Sequence, residues 1–244
     1  MANYKEIHGI NIQYRTGDAT AVSGDVWYNS ITGDLKAYVG VGAWASGGAL
    51  NQVTGNRGAA GIQTAAIAFG GAGDSPLSPA GIALAETYDG SSWTEVADLN
   101  TARRGLGQGG TQTAAIAIAG SQGPPGSAEE VETWDGSSWT EVADVNTTRE
   151  LGASLGPSNT SAIFVGGIIE PGSSLSAVVE QWNGTSWTEI ADINTARRES
   201  DGAGTVTAGI VIGGGTPGHV ANVESWNGSA WTETTDVNTA RRQA

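Results

Sequence analysis

The sequence predicts an all-β chain, a small β-propeller of about four blades with four strands each, preceded by a β-hairpin module. Three observations predict it. Glycine supplies 38 of the 244 residues and charged residues only 15%, so turns and short strands outweigh amphipathic helix signals. Trp44, Trp93, Trp139, Trp187 and Trp231 recur at spacings of 49, 46, 48 and 44 residues, within the ~40–50 residues of a four-stranded propeller blade. The pairs Asp89-Gly90, Asp135-Gly136, Asn183-Gly184 and Asn227-Gly228 recur between alternating segments and read as type I′ hairpin turns.

The first stretch, residues 1–43, stands outside the repeat. Asp25-Val26-Trp27-Tyr28-Asn29 and Leu35-Lys36-Ala37-Tyr38 flank Thr32-Gly33-Asp34, a hairpin with a glycine turn and an attachment module in outline. Residues 44–244 form the repeat. Within one unit, residues 104–109 are glycine-rich and predict the innermost strand, where backbones approach a central axis closely. Residues 113–118, Thr-Ala-Ala-Ile-Ala-Ile, are small and apolar throughout and predict a second strand buried on both faces. Val131-Glu132-Thr133-Trp134 alternates and predicts the third strand, and Trp139-Thr140-Glu141-Val142 the outer edge strand, with charge outward.

The link from each outer strand to the next inner strand carries Asp98-x-Asn100-Thr101-Ala102-Arg103-Arg104, repeated at 144–149, 192–198 and 236–242. Its asparagines, Asn100, Asn146, Asn194 and Asn238, suit a turn, and Arg103, Arg149 and Arg197 suit pairing between blades with such carboxylates or carbonyls. The first unit departs from this phrase, with Thr54 and Gly55 at the arginine positions. Trp93, Trp139, Trp187 and Trp231 are expected to wedge blades together. Four inner–second–third sets face five outer-strand segments, so the spare, 44–51 or 231–238, is expected to close the ring with strands from the other end. An open arc, or chains that complete one another, are the alternatives.

Insertions collect in the second-to-third-strand loops, 72–86, 121–131, 167–180 and 215–223, which share a face with the Asn–Arg phrase. That face is the expected binding surface, because loops carry binding on a rigid scaffold. Its non-repeating polar residues are the candidate binding residues: Asp74, Ser75, Glu129, Glu130, Glu170 and His219. Asp201 is a further non-repeating acid.

The glycine pairs Gly70-Gly71, Gly166-Gly167 and Gly213-Gly214, the aromatic pair around the turn and the arginine before the inner strand resemble kelch repeats. The phrases Tyr4-Lys5-Glu6-Ile7-His8-Gly9, Gly24-Asp25-Val26-Trp27-Tyr28-Asn29-Ser30, Gly42-Ala43-Trp44 and Gln112-Thr113-Ala114-Ala115-Ile116-Ala117 resemble kelch-type repeat proteins of marine tailed bacteriophages. That resemblance covers nearly the whole chain. It implies a virion structural or tail-fibre-associated protein, held to other virion proteins by its N-terminal module and homo-oligomeric on the particle. The loops would then meet a host surface glycan or protein, or only neighbouring virion subunits.

Composition excludes several chemistries. A net charge of −14 disfavours nucleic acid and anionic membrane surfaces as partners. No stretch approaches the ~20 apolar residues of a bilayer span, and the N-terminus lacks a signal-peptide core. With no cysteine and only two histidines, His8 and His219, a copper oxidase site of the kind some kelch propellers carry is excluded, and no metal or cofactor is expected. Glu95, Glu141, Glu189 and Glu233 recur in every unit, which suits a structural role better than that of a catalytic acid needed once. The glycine-rich stretch 107–110 precedes a strand and lacks a lysine, so it is not a phosphate loop. The expectation is a binding or building protein and not an enzyme, with a carbohydrate-active enzyme as the remote alternative.

Overall fold

A computed structural model describes residues 13–15, 26–37, 47–73, 80–123, 126–171 and 173–242. The chain divides into two compact units, Met1–Ser46 and Gly47–Ala244. In the first, Gln13–Arg15 pairs in parallel with Val26–Asn29, which pairs antiparallel with Asp34–Ala37. The turn between the last two strands is held by Asn29, whose side-chain oxygen accepts the amides of Ile31 and Thr32. Gly33 follows at φ +76°.

The second unit is all-β and propeller-like, with four four-stranded antiparallel sheets and no helix among the described residues. Each sheet takes its strands in chain order. The first comprises Gly58–Ile62, Ala65–Phe69, Ala85–Tyr88 and Trp93–Glu95. The second comprises Gly107–Thr111, Ala114–Ser121, Ser127–Trp134 and Trp139–Val142. The third comprises Ala153–Ser158, Ser161–Val165, Val179–Trp182 and Trp187–Ile190, and the fourth Asp201–Thr205, Ala208–Ile212, Val223–Trp226 and Trp231–Glu233. Of the two spare outer-strand segments, part of one lies outside the described residues. The segment at 231–233 belongs to its own sheet, and Trp44 lies outside the described residues.

Two local readings change. The inner strand of the second sheet begins at Gly107, three residues later than expected. Arg104 is spent bridging Ser121, and Gly105 adopts φ +58°. The hairpin turns are four-residue loops, not two-residue type I′ turns. Trp134 and Trp139 are cross-strand partners, and of the loop residues 135–138 only Gly136 has positive φ, +97°. Asp135 Oδ1 organises the loop by accepting the amides of Ser137 and Ser138, both at 2.8 Å. The Ser138 amide, with the Ser137 hydroxyl and amide, holds the Asp135 carboxyl down at about 2, and the corresponding serines do the same for Asp89. Asn183 and Asn227 build the same loop with an amide oxygen.

The core lies between sheets, because the second strands are apolar on both faces. Ile67 and Phe69 of the first sheet pack with Ala115, Ala117, Trp134 and Trp139 of the second. Ile116 and Ile118 meet Ala162, Phe164, Trp182 and Trp187, and Ile163 and Val165 meet Val211, Trp226 and Trp231. Such packing needs bare inner strands. A Cβ on Gly107 would sit 2.8 Å from the Phe164 ring. At Gly110, φ is +98° and a Cβ would sit 2.0 Å from the Ala114 carbonyl oxygen.

Each outer-strand link then grips the sheet ahead of it. Asn100 donates its backbone amide and its side-chain amide to Glu132, and the Arg103 guanidinium lies 2.8 Å from the same carboxylate. Arg103 also donates to the carbonyls of Ala119 and Glu130. Asn146 and Arg149 hold Glu180 in this way, and Asn194 and Arg197 hold Glu224. All three arginines are 0% exposed. Burial pushes these guanidinium groups down, and the facing glutamates oppose it. The sequence pointed the arginines across blades at carboxylates of the linking phrase or at carbonyls; the carbonyls are there, and the carboxylate is instead the glutamate two residues before the first aromatic. The phrase acids instead cap the third strand, with Asp98 accepting the Ala85 amide.

In the first sheet Asn51 and Arg57 hold Glu86, with Arg57 at 3.3 Å. Arg57 does the work of the arginine missing at Thr54 and Gly55. Burial alone would push the Glu86 carboxyl up; the Asn51 amide and the Arg57 guanidinium more than reverse this and hold it below the ordinary carboxylate range.

Two predictions follow from this packing. Replacing Arg149 by Ala should cost about 3–5 kcal/mol in urea unfolding, because Glu180 stays buried without its cation. Arg149→Met with Glu180→Met should recover only part of that, since the Asn146 and Thr147 amides lose their acceptor. For the turns, Asp89 and Asp135 have depressed folded values, so their contribution is full above 3.8 and is lost as pH falls through about 2. Asp89→Asn with Asp135→Asn should leave the melting midpoint at neutral pH unchanged and flatten its fall across that acid window. A lowered neutral midpoint would refute the equivalence of the two side chains.

Candidate functional site

The surface that gathers non-repeating chemistry is the rim made by the second-to-third-strand loops. It is built by backbone pairing and not by loose excursions. Gly71 N donates to Arg103 O, Gly120 N to Arg149 O and Gly167 N to Arg197 O, so each rim loop is seated on the linking phrase. Neighbouring loops also join one another. Gly81 N donates to Gln122 O, Ser127 Oγ reaches Ile168 O at 3.4 Å, and Glu170 N reaches Ser127 Oγ at 3.3 Å. The first three loops therefore present one continuous surface.

On the second sheet the rim opens into a shallow depression of about 430 Å³, lined by Gln122, Ser127, Glu129, Glu130 and Thr148 among others. Glu130 accepts Gln122 Nε2 at 2.7 Å and the Glu129 amide at 3.1 Å, while Glu129 accepts the Thr148 hydroxyl at 3.1 Å. Asp144 lies close by. Its partial burial, then the charges of Glu129 and Glu130, push its carboxyl up. The depression is thus a concentration of negative charge flanked by hydroxyl and amide donors, a surface suited to hydrogen-bonding neutral polyols or binding cationic groups.

The structure brings Glu129 and Glu130 together and sets Glu170 beside them across Ser127. The Glu170 carboxylate itself is occupied with the amide and hydroxyl of Ser173. His219 is exposed on the loop of the fourth sheet, where it bridges Gly215. Among the described residues, no hydrogen bond or ion pair joins it to Glu129, Glu130 or Glu170. Asp74 and Ser75 lie outside the described residues. No group of three or more His, Asp or Glu with metal-binding geometry occurs among the described residues.

A second concavity, of about 350 Å³, lies where the inner strands converge, lined by Arg57, Gln108, Ser154, Glu199 and Asp201 among others. Its rim is a backbone ladder. Gly105 N donates to Asn56 O, Leu151 N to Gly105 O and Glu199 N to Leu151 O, with all four residues at φ between +52° and +58°. Much of its polarity is already spent, because Gln108 accepts the Ala59 amide and Ser154 Oγ bonds both the amide and the carbonyl of Gln108. Sequence reasoning missed this ladder. Asn, Gly, Leu and Glu share no side-chain property, and only their conformation recurs.

No protein-family model matches the chain, and no curated protein matches it. Among solved structures it is similar to the one titled "Structure of YjhT", with a TM-score of 0.65 over 78% of this chain and 73% of that one. The identity is 11%, so the likeness speaks to the fold, which it places among β-propeller-like architectures.

Replacing Glu129 and Glu130 by Gln should bring the Asp144 titration, followed by carboxyl carbon NMR, part of the way back toward 3.8, leaving the share due to burial. An unmoved titration would show that the three carboxylates do not form one electrostatic group.

Proposed function

We propose that the chain is a non-enzymatic bacteriophage virion protein, associated with the tail or its fibres, in which propeller blades display their rim loops to a host-surface glycan or protein. The observation that supports this most directly is the side-by-side pairing of the rim loops. Variable sequence is held on an invariant scaffold of buried cores and arginine–glutamate grips, which is how a binding surface changes partner without changing fold. The N-terminal hairpin module would attach the propeller to other virion proteins. The virion setting itself rests on the resemblance of the quoted phrases.

Flat hydroxyl- and amide-edged surfaces bind glycans weakly at one site and usefully when repeated, so homo-oligomeric display on a particle suits this geometry. A carbohydrate-active enzyme is the second reading, and the observation behind it is the pair of non-repeating acids, Glu129 and Glu130, gathered in the rim depression.

Purified protein should be tested on an array of host surface polysaccharides and on intact host cells, alongside a variant with Glu129→Ala, Glu130→Ala and Thr148→Ala. Binding that falls at least about tenfold in the variant supports rim recognition. Absence of binding, with particle maps in which the rim is buried against neighbouring subunits, would make the protein a structural component alone. Release of oligosaccharides during the assay, abolished when Glu129, Glu130 and Glu170 are replaced by Gln, would establish the enzymatic reading instead.

A further inference from the structure

The fourth sheet carries the interlocking parts of the other three on its forward face, yet nothing among the described residues engages them. Ile210 and Ile212 occupy the strand positions of Ile116 and Ile118 and of Ile163 and Val165. Those four are 0% exposed, whereas Ile210 and Ile212 are only partly covered. Val237 likewise follows Leu99, Val145 and Ile193 in the repeat but stays half-buried.

Asn238 and Arg241 repeat the gripping phrase. Its backbone is already in place. Arg241 N donates to Val220 O and Arg241 O accepts Gly214 N, as Arg197 does with Ser176 and Gly167. Arg242, next in the chain, pairs with Glu199 at 3.0 Å. The grip itself is empty. The Arg241 side chain bonds only the Thr239 carbonyl, and both Asn238 and Arg241 are exposed.

The three interfaces inside the chain define what this face fits. The partner sheet presents two alternate second-strand positions (Ala115 and Ala117, Ala162 and Phe164, Gly209 and Val211), an aromatic pair across the outer turn, and a glutamate two residues before the first aromatic. The first sheet offers that set in Ala66, Ala68, Tyr88, Trp93 and Glu86. No contact between the inner strands Gly58–Ile62 and Asp201–Thr205 compares with those joining successive inner strands, so the fourth sheet does not fill that place in its own chain. The first sheet's own grip is the irregular one. Arg57 lies six residues after Asn51, where the other arginines lie three after their asparagine, and it stands 3.3 Å from its glutamate. Tyr88 and Trp93 remain partly exposed, whereas the other three aromatic pairs are buried.

We infer that the face carrying Ile210, Ile212, Asn238 and Arg241 docks on the first sheet of a second copy of this chain, with Arg241 replacing Arg57 at Glu86. The contact is head to tail, so it propagates into a ring or a filament according to its rotation. It is independent of what the rim loops bind.

Sedimentation velocity of the full chain across a range of concentrations tests this. The wild type should self-associate with rising concentration, and Arg241→Glu should weaken association by at least about tenfold. Arg57→Ala, which vacates Glu86 for the incoming arginine, should tighten it by about tenfold. Thermal melts confirm that each variant is folded. Should Arg57→Ala not fold, Ile210→Asp, which charges the docking face alone, takes its place and should weaken association like Arg241→Glu. A wild type that stays monomeric, or association indifferent to Arg241→Glu, overturns the proposal. Association lost with Arg241→Glu but unmoved by a folded Arg57→Ala overturns the choice of Glu86 as acceptor.

Discussion

The structure depends on a buried arginine that crosses from one sheet's linking phrase to a glutamate in the next sheet. A buried ion pair is costly to desolvate, and such a pair adds little stability over a well-packed apolar pair. What it adds here is register. The glutamate also takes two amides from the asparagine and one from the residue after it, and the guanidinium donates to carbonyls of the second and third strands. Only one placement of successive sheets satisfies every donor. Sheets packed by Ala, Ile and Val alone could slide over one another, because small aliphatic side chains discriminate poorly between neighbouring positions.

The rest of the architecture follows from that fixed placement. With the outer ends of the sheets tied, the inner ends must converge, so the inner strands shed side chains and bond through backbone. Phe164 illustrates the trade. Its ring lies over the place a Cβ on Gly107 would need, and the Arg149 guanidinium stands 4.5 Å from its centre, so one side chain serves the core, the inner strand and the grip. The rim loops are seated by the carbonyls of the same arginines and joined to one another by a few hydrogen bonds among their described residues, while their lengths differ from unit to unit.

The repeat made the sheets legible in the sequence. The second strands, the aromatic pairs and the linking phrases all fell where their spacing put them, because each has a side-chain requirement that recurs. The reach of the arginine between sheets to carbonyls was legible too, and only the identity of its carboxylate was misread. A glutamate stands two residues before the first aromatic in every unit, at Glu86, Glu132, Glu180 and Glu224, but strand alternation explains an exposed glutamate as well as a buried one. Side-chain identity alone does not separate them. The turn type was misread for a related reason. Asp-Gly suits a two-residue hairpin, but the aromatics flanking it pair with each other and so set the loop at four residues. Arg57 and the backbone ladder through Asn56, Gly105, Leu151 and Glu199 lay beyond sequence reasoning, because conformation recurs there without residue type.

A repeat held together by directional grips differs from one held by a shared apolar centre in how it can stop. An apolar core closes when its area is covered. A grip closes only when the arginine on one side finds a glutamate on the other, so an open array of these sheets leaves one grip and one acceptor unjoined, and a ring leaves neither. In this chain the acceptor end is occupied by a makeshift grip from Asn51 and Arg57, and the gripping end is held ready by the Val220 and Gly214 backbone. The two ends are therefore unequal in charge and in order: a buried carboxylate with a stretched partner at one, an exposed guanidinium without a carboxylate at the other. In a chain of net charge −14, where copies repel one another over distance, an exposed cation at one end and a carboxylate at the other favour end-to-end approach over contact through the acidic rim.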